Sequence, residues 1–227
     1  MSPKGRLFIV GTPIGHLEDI TLRALKILKE VEAIACEDTR QTIKLLNAYG
    51  LKKRLISYFH PKENQKLPEI LALLNQGKDV ALVSDAGMPG ISDPGFPLIR
   101  EAINQQIEVI PVPGPSAVIA ALAASGLPTH RFVFLGFPPV KKGSLKNFLS
   151  ELKEEKGTMV FFLPARRLKD FLPLAAEVLG ERRAVVAREL TKVHEEFIRG
   201  NLAELPGQLK EEQLRGECTI LIEGKPK

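Results

Sequence analysis

The 227-residue sequence predicts an α/β protein built as two domains, and three observations carry that prediction. Short apolar runs alternate with amphipathic segments through the first half, the pattern of a parallel sheet covered by helices on both faces. Loops rich in glycine and proline follow the ends of those runs. A Pro113-Gly114-Pro115 turn then breaks the pattern at mid-chain, and beyond it the alternation loosens and admits a hairpin, as in a mixed sheet. The expected domains are residues 1–114, with a parallel sheet, and residues 115–227, with a mixed sheet.

Taken in order, Arg6–Val10 is an apolar strand run that ends at Gly11. Asp19 is expected to cap a helix whose apolar face carries Leu22, Leu25, Leu28 and Val31. Ala33–Glu37 is a second strand, and a helix over Thr39–Tyr49 stops at Gly50. Arg54–Tyr58 is a weaker strand, and Pro68–Gln76 lies in a helix that Gly77 closes. Asp79–Ser84 is a buried strand, Phe96–Gln105 a helix and Glu108–Val112 another buried strand. The second half opens with a small-residue helix over Ser116–Ser125. Strands are expected at Phe132–Leu135, Met159–Leu163, Arg183–Arg188 and Cys218–Ile222, with helices near Ser144–Glu155 and Leu168–Leu179. Glu195–Arg199 adds a short strand to a hairpin.

Composition narrows the function classes. Hydrophobic residues make up 44% and charged residues 26%, which is ordinary globular usage. The two cysteines, Cys36 and Cys218, sit in apolar runs and are read as buried thiols of a reducing compartment. The N-terminal stretch lacks the apolar core of a signal peptide and no window approaches a membrane span, so a cytoplasmic protein without a membrane partner is expected. The formal charge is +5, and residues 114–227 carry 18 basic against 14 acidic side chains while residues 1–113 carry 14 against 13. Lys141-Lys142, Arg166-Arg167 and Arg182-Arg183 are either solvated charge or phosphate contacts.

Common nucleotide fingerprints are absent: no GxGxxG follows the first strand, no GxxxxGK[ST] occurs, and no GxSxG elbow is present. The Cys and His residues show no metal-ligand spacing, and no metal is expected. Three loops at strand ends stand out instead: Gly11–Gly15, Ser84–Gly90 with its continuation to Gly95, and Pro113–Ser116. Ligands of open α/β sheets bind at such ends. Glycines there admit close backbone approach, and Asp85 can accept hydrogen bonds from ribose or amino groups. Asp85 with Asp93 can alternatively be read as a metal-holding pair, with turn capping by Asp93 as the plainer account. Glu37-Asp38-Thr39-Arg40 packs ionisable residues just after a strand, beyond what capping alone explains. Arg188–Lys192 with His194, Glu195 and Glu196 forms a second charged group at a strand end. Phe59, Phe137 and Phe162 are candidates for base stacking or core packing, and His60 beside Pro61 is a candidate loop contact.

Taken together, these stretches resemble the tetrapyrrole methylase family, and within it the branch that methylates a cytidine ribose of small-subunit ribosomal RNA. The matching segments are LFIVGTPIGHLEDITLRAL, ACEDTRQTIKLL, VALVSDAGMPGISDPG, VIPVPGPSAVIAAL, FVFLGFPP and RELTKVHEEFIRG, spread over nearly the whole chain. The resemblance implies two α/β domains with S-adenosyl-L-methionine in a cleft between them, a homodimer, and 2'-O-methylation of RNA within the assembled subunit. It implies cofactor contacts at Pro13, Ile14, Asp85, Ala86, Gly87, Met88, Ser116 and Ala117, and, from the second domain, at Leu163, Leu190 and Thr219. Members of the branch often carry a further small C-terminal extension beyond the equivalent of Gly224, so RNA engagement here is expected to use the dimer surface or to do without it. Candidates for the catalytic group are Glu37, Asp38, Arg40, Lys192 and Glu195. Arg40 suits a phosphate clamp, because guanidinium stays protonated. Lys192 can act as a base only with a lowered pKa and otherwise contacts phosphate or oxyanion. Two other readings stay open: methylation of a tetrapyrrole ring carbon, and a non-catalytic RNA-binding assembly protein.

Overall fold

A computed structural model describes residues 3–60 and 63–226. The chain divides into two compact units, between Ser116 and Ala117. In the first, β1 (Leu7–Val10), α1 (Leu22–Glu30), β2 (Ala33–Cys36), α2 (Thr39–Ala48), β3 (Arg54–Ser57), α3 (Glu63–Asn75), β4 (Val80–Val83), α4 (Phe96–Asn104) and β5 (Val109–Val112) alternate strictly. All five strands are parallel, in the order β3-β2-β4-β1-β5. Successive strand residues point to opposite faces. Leu7 and Ile9 therefore join Ala33, Val80 and Leu82 under α3 and α4, while Phe8 and Val10 join Ile34, Cys36, Ala81 and Val83 under α1 and α2. Burial on both faces is why these strands read as unbroken apolar runs.

One local expectation is corrected. The cap of α1 is Thr21, whose Oγ1 accepts from the Ala24 N–H at 3.0 Å, and Asp19 lies in a preceding 3₁₀ turn. The buried stripe is accordingly Ala24, Leu28 and Val31, and Leu22 at the first turn is 87% exposed. The helix α3 begins at Glu63, and Pro68 lies inside it. An interior proline forfeits one helix hydrogen bond and crowds the preceding turn; burial of Ile70, Leu71, Leu73 and Leu74 against the sheet offsets that cost.

The second unit contains α5 (Ala117–Ser125), β6 (Phe132–Phe134), α6 (Lys142–Glu151), β7 (Thr158–Pro164), α7 (Leu168–Leu179), β8 (Arg183–Arg188), β9 (Glu196–Asn201), α8 (Leu205–Gln208) and β10 (Glu217–Ile222). Its mixed sheet runs β6-β7-β10-β8-β9, with β6 and β7 parallel and the remaining pairs antiparallel. Met159, Phe161, Val186, Ile220 and Ile222 pack against α6 and α7. Both cysteines are free and buried. Among the described residues no helix is long and apolar enough to cross a membrane.

Candidate active site

Because the five strands of the first sheet are parallel, their carboxyl ends share one edge, and the three glycine-rich loops meet there. Thr12 and Gly87 exchange backbone hydrogen bonds of 2.9 and 3.1 Å, and Thr12 Oγ1 donates to the Ser84 carbonyl at 3.1 Å. The first and third loops approach still more closely. The Gly11 N–H donates to the Val112 carbonyl, and a Cβ on Gly11 would lie 2.7 Å from Gly114 Cα and 2.7 Å from Met88 Sδ. Gly87 adopts φ 83°, which an L side chain resists. Of the residues singled out on these loops, Pro13 and Gly87 are buried, Ile14, Met88, Ser116 and Ala117 half-buried, and Asp85 and Ala86 exposed. No side chain stands between the loop backbones at Gly11 and Gly114.

The same edge concentrates carboxylates. Asp85 Oδ1 accepts from the Asp38 N–H at 3.0 Å, tying the end of β2 to that of β4. Burial, then the charges of Asp85 and Asp93, push the Glu37 carboxyl above its ordinary value. Burial raises Asp85 too, with Asp38's charge adding to it, and burial raises Asp93 against a hydrogen bond from Ser84. Asp38 behaves oppositely. Its carboxylate accepts from the Arg40 side chain at 3.0 and 2.7 Å and from the Arg40 N–H at 2.8 Å, capping α2, and Arg40 pulls its pKa down to about 2. Neighbouring carboxylates are thus driven apart, Glu37 held above the ordinary carboxylate value by burial and Asp38 held below it by Arg40. Among the described residues no group of three or more potential ligands could hold a metal ion.

In the second unit, antiparallel register brings Leu163, Cys218 and Arg188 into one row, with Thr219 next along β10 and Leu190 two residues beyond Arg188. The sequence candidates Leu163, Leu190 and Thr219 thus share one sheet edge, and their side chains are buried. Just past it the backbone turns sharply: Glu189 and Thr191 adopt φ 47° and 61°, and positive φ at a β-branched residue is a strained state. Glu189 Oε1 accepts from the Glu217 N–H at 2.9 Å and from Lys192 Nζ at 3.1 Å, and Glu217 Oε2 also meets Lys192 at 3.1 Å. Burial works against the Lys192 charge, but these two carboxylates outweigh it and raise its pKa. Lys192 is a held cation rather than a base. Glu195 Oε2 accepts from the Thr191 N–H at 2.6 Å and so braces the strained turn.

Some residues at these sites escape pattern reading. Glu63 is buried, accepts from the Gly95 N–H at 2.9 Å and meets His60 Nδ1 at 3.1 Å, so one carboxylate pins the second loop and orients an exposed imidazole. Pro61 lies outside the described residues. Glu217 belongs with Glu63, whereas Thr12, Ser84 and Glu189 lie in stretches the sequence singles out and only their hydrogen-bond partners are hidden. The signal available for Glu63 was an acidic residue opening an apolar helix, which is ordinary.

Comparison with known proteins fits this geometry. The profile of the family Tetrapyrrole (Corrin/Porphyrin) Methylases matches residues 6–206. The Ribosomal RNA small subunit methyltransferase I of Thermotoga maritima is 48% identical over 221 residues, covering 97% of this chain and 99% of that protein. The protein of the same name from Halalkalibacterium halodurans is 47% identical over 221 residues, covering 97% of this chain and 76% of its own length. Among solved structures, the uroporphyrin-III C-methyl transferase of Thermus thermophilus in complex with S-adenyl homocysteine superposes with a TM-score of 0.66 at 19% identity, covering 96% of this chain and 97% of that one.

Proposed function

From the premise that the chain belongs to the tetrapyrrole methylase family, we propose that it is an S-adenosyl-L-methionine-dependent methyltransferase that methylates a cytidine 2'-hydroxyl of small-subunit ribosomal RNA. The observation that carries this reading is identity of 47–48% along 97% of the chain to proteins named for that RNA. The residues at the first sheet's edge fit such a cofactor. A Cβ on Gly11 would fill the space that brings its backbone against Gly114, and the carboxylates around Asp85 complement a sulfonium cation and accept from ribose or ammonium groups. Pro13, Ile14, Asp85, Ala86, Gly87, Met88, Ser116 and Ala117 are assigned to cofactor binding, as are Leu163, Leu190 and Thr219; the latter three act through their backbones, since their side chains are buried.

When bound, the cofactor supplies an activated methyl group, so the chain's own task is alignment and removal of one proton. Glu37 is the group for that proton. Its carboxyl is disfavoured as an anion by burial and by Asp85 and Asp93, which raises its basicity toward a ribose hydroxyl. Asp38 holds Arg40, whose exposed guanidinium is offered to an RNA phosphate. Lys192, kept charged by Glu189 and Glu217, is a second cation for phosphate or developing oxyanion, and Glu195 sets the turn that carries it. The active species is proposed to be a homodimer, which light scattering tests.

The decisive experiment is transfer of labelled methyl from S-adenosylmethionine to purified small ribosomal subunits, beside naked rRNA and a tetrapyrrole precursor. Label recovered as 2'-O-methylcytidine is the expected result. Label in the tetrapyrrole alone would replace the substrate while leaving the family unchanged, and RNA binding without cofactor binding would favour an assembly protein.

A further inference from the structure

Two basic clusters lie outside the site described, Lys141-Lys142 and Arg166-Arg167. The fold of the second unit sets them at one corner. Arg167 donates to the carbonyl oxygens of Pro138, at 2.9 Å, and Pro139, so the turn after β7 holds the loop that opens α6. An open cavity of about 430 Å3 separates Val140, Lys142 and Leu145 on one side from Arg167, Lys169 and Phe171 on the other. Lys169 is engaged by Glu211, and Lys146 by Glu177. Lys141, Lys142 and Arg166 are exposed and form no ion pair among the described residues, so three cations face solvent, with Lys142 acting on Glu177 only at longer range. Beside them Phe137 is 59% exposed, its ring centroid 5.5 Å from that of Phe162, which meets Phe134 edge-on at 4.8 Å. A large ring left in water but braced from behind is a poor core residue and a ready platform.

We propose that this corner is a docking surface for single-stranded RNA, with Lys141, Lys142 and Arg166 taking phosphates and Phe137 stacking an unpaired base. The proposal deepens the RNA-methylation reading and rests on it for the identity of the nucleic acid. Cations that track a backbone beside an aromatic ring are the features that hold single strands without sequence preference. A duplex satisfies the cations but offers no free base face to the ring, which favours the single strand. The carboxylates of Asp170 and Glu177 also line the cavity, so the phosphates run along its rim and not into it.

The test is equilibrium binding of the full chain to a labelled single-stranded RNA oligonucleotide over a range of salt, with a duplex of the same length as comparison. The triple variant K141E/K142E/R166E is expected to bind about tenfold or more weakly, with a log–log salt slope shallower by about 2, since each single-strand phosphate contact contributes about 0.7. F137A is expected to weaken binding about fivefold or more with the slope unchanged, because stacking is not ionic, and Phe137→Tyr is expected to restore it. Unaltered S-adenosylmethionine binding by calorimetry checks that each variant is folded. Unchanged affinity and slope in the triple variant, wild-type binding no better to the single strand than to the duplex, or no measurable binding of the oligonucleotide would each overturn the proposal. Binding through this corner by a protein that transfers no methyl to ribosomal subunits would uphold it while overturning the methylation reading.

Discussion

The two sheets have five strands each, yet they present chemistry in opposite ways. In the first, every strand is parallel, so all carboxyl ends open onto one edge, and the loops there are cross-bonded through Thr12, Gly87 and Asp85 and crowded with carboxylates. In the second, antiparallel pairing alternates the ends, so the carboxyl ends of β6, β7 and β8 share an edge with the starts of β9 and β10, and exposed cations gather at a corner between helices. A parallel edge can place several proton-handling groups within one another's fields and so set their basicity. A mixed sheet scatters its ends and leaves charge at the surface, where it is suited to a polyanion. The first unit therefore carries its coupled carboxylates at the sheet edge, with Arg40 bound to one of them, while the second carries exposed cations at a corner between helices.

The strongest way to break this contrast is Gly11→Ala. The added Cβ would meet Gly114 backbone and the Met88 sulfur at 2.7 Å, and backbone cannot swing aside as a side chain can. The variant is expected to lose about 1–3 kcal/mol of stability in urea and to abolish S-adenosylmethionine binding by calorimetry. Full binding by a stable Gly11→Ala protein would show that the close approach of the loops is incidental.

Glu37→Gln sharpens the electrostatic half. The amide cannot accept the ribose proton, so turnover is expected to fall about 100-fold or more while cofactor affinity holds. If Glu37 takes the proton, its protonated form is expected to be inactive, and because its pKa is raised, activity is expected to fall on acidification at a higher pH than an ordinary glutamate would set. The variant's pH–rate profile should lack that limb. Stability moves the other way: a raised carboxyl pKa stabilises the fold below the unfolded-state value and loses that contribution as pH rises through the folded one, so Glu37→Gln should melt higher than wild type at neutral pH and gain nothing in acid. A variant no more stable at neutral pH would mean that the carboxylate cluster imposes no cost.

Gly216→Ala asks whether the held cation matters in the second unit. Gly216 adopts φ 84°, and a Cβ there would press on the Glu189 carboxylate that grips Lys192. We expect a loss of about 1 kcal/mol from the backbone strain alone and a several-fold fall in transfer, with Lys192→Ala giving the same fall and no further loss when the two are combined. Additive effects would separate Lys192 from Glu189.

How far the sequence could be read follows the same division. The loops Gly11–Gly15, Ser84–Gly95 and Pro113–Ser116 were legible because parallel topology, inferred from alternation, forces consecutive strand ends to one side. Glu37 and Asp38 were legible as a pair but not as opposites, since only the fold shows that Arg40 bends back on Asp38 while Asp85 and Asp93 face Glu37. Leu163, Leu190 and Thr219 came from family resemblance, because nothing local sets the register that aligns them. Glu63 was illegible, and Glu189 was legible only as one of a charged group: each acts on a backbone N–H far along the chain, Gly95 in one case and Glu217 in the other.

The smallest effect expected is at Thr21, and it serves to separate chemistry from stability within the first unit. Its Oγ1 caps α1 on the Ala24 N–H, and Thr21→Ala leaves that donor to water at a cost of about 1 kcal/mol. The helix packs Ala24 and Leu28 beneath the sheet without supplying any residue to the carboxyl edge. Urea unfolding should therefore shift by that amount while methyl transfer per folded molecule, cofactor affinity and the acidic limb of the pH profile stay at wild-type values. If turnover fell along with stability, the edge would depend on the whole unit's rigidity, and the losses in Gly11→Ala would no longer report on the loop contact itself. If stability alone moved, the hydrogen bonds among Thr12, Gly87, Asp38 and Asp85 would be sufficient to hold the edge in register against a weakened helix behind it.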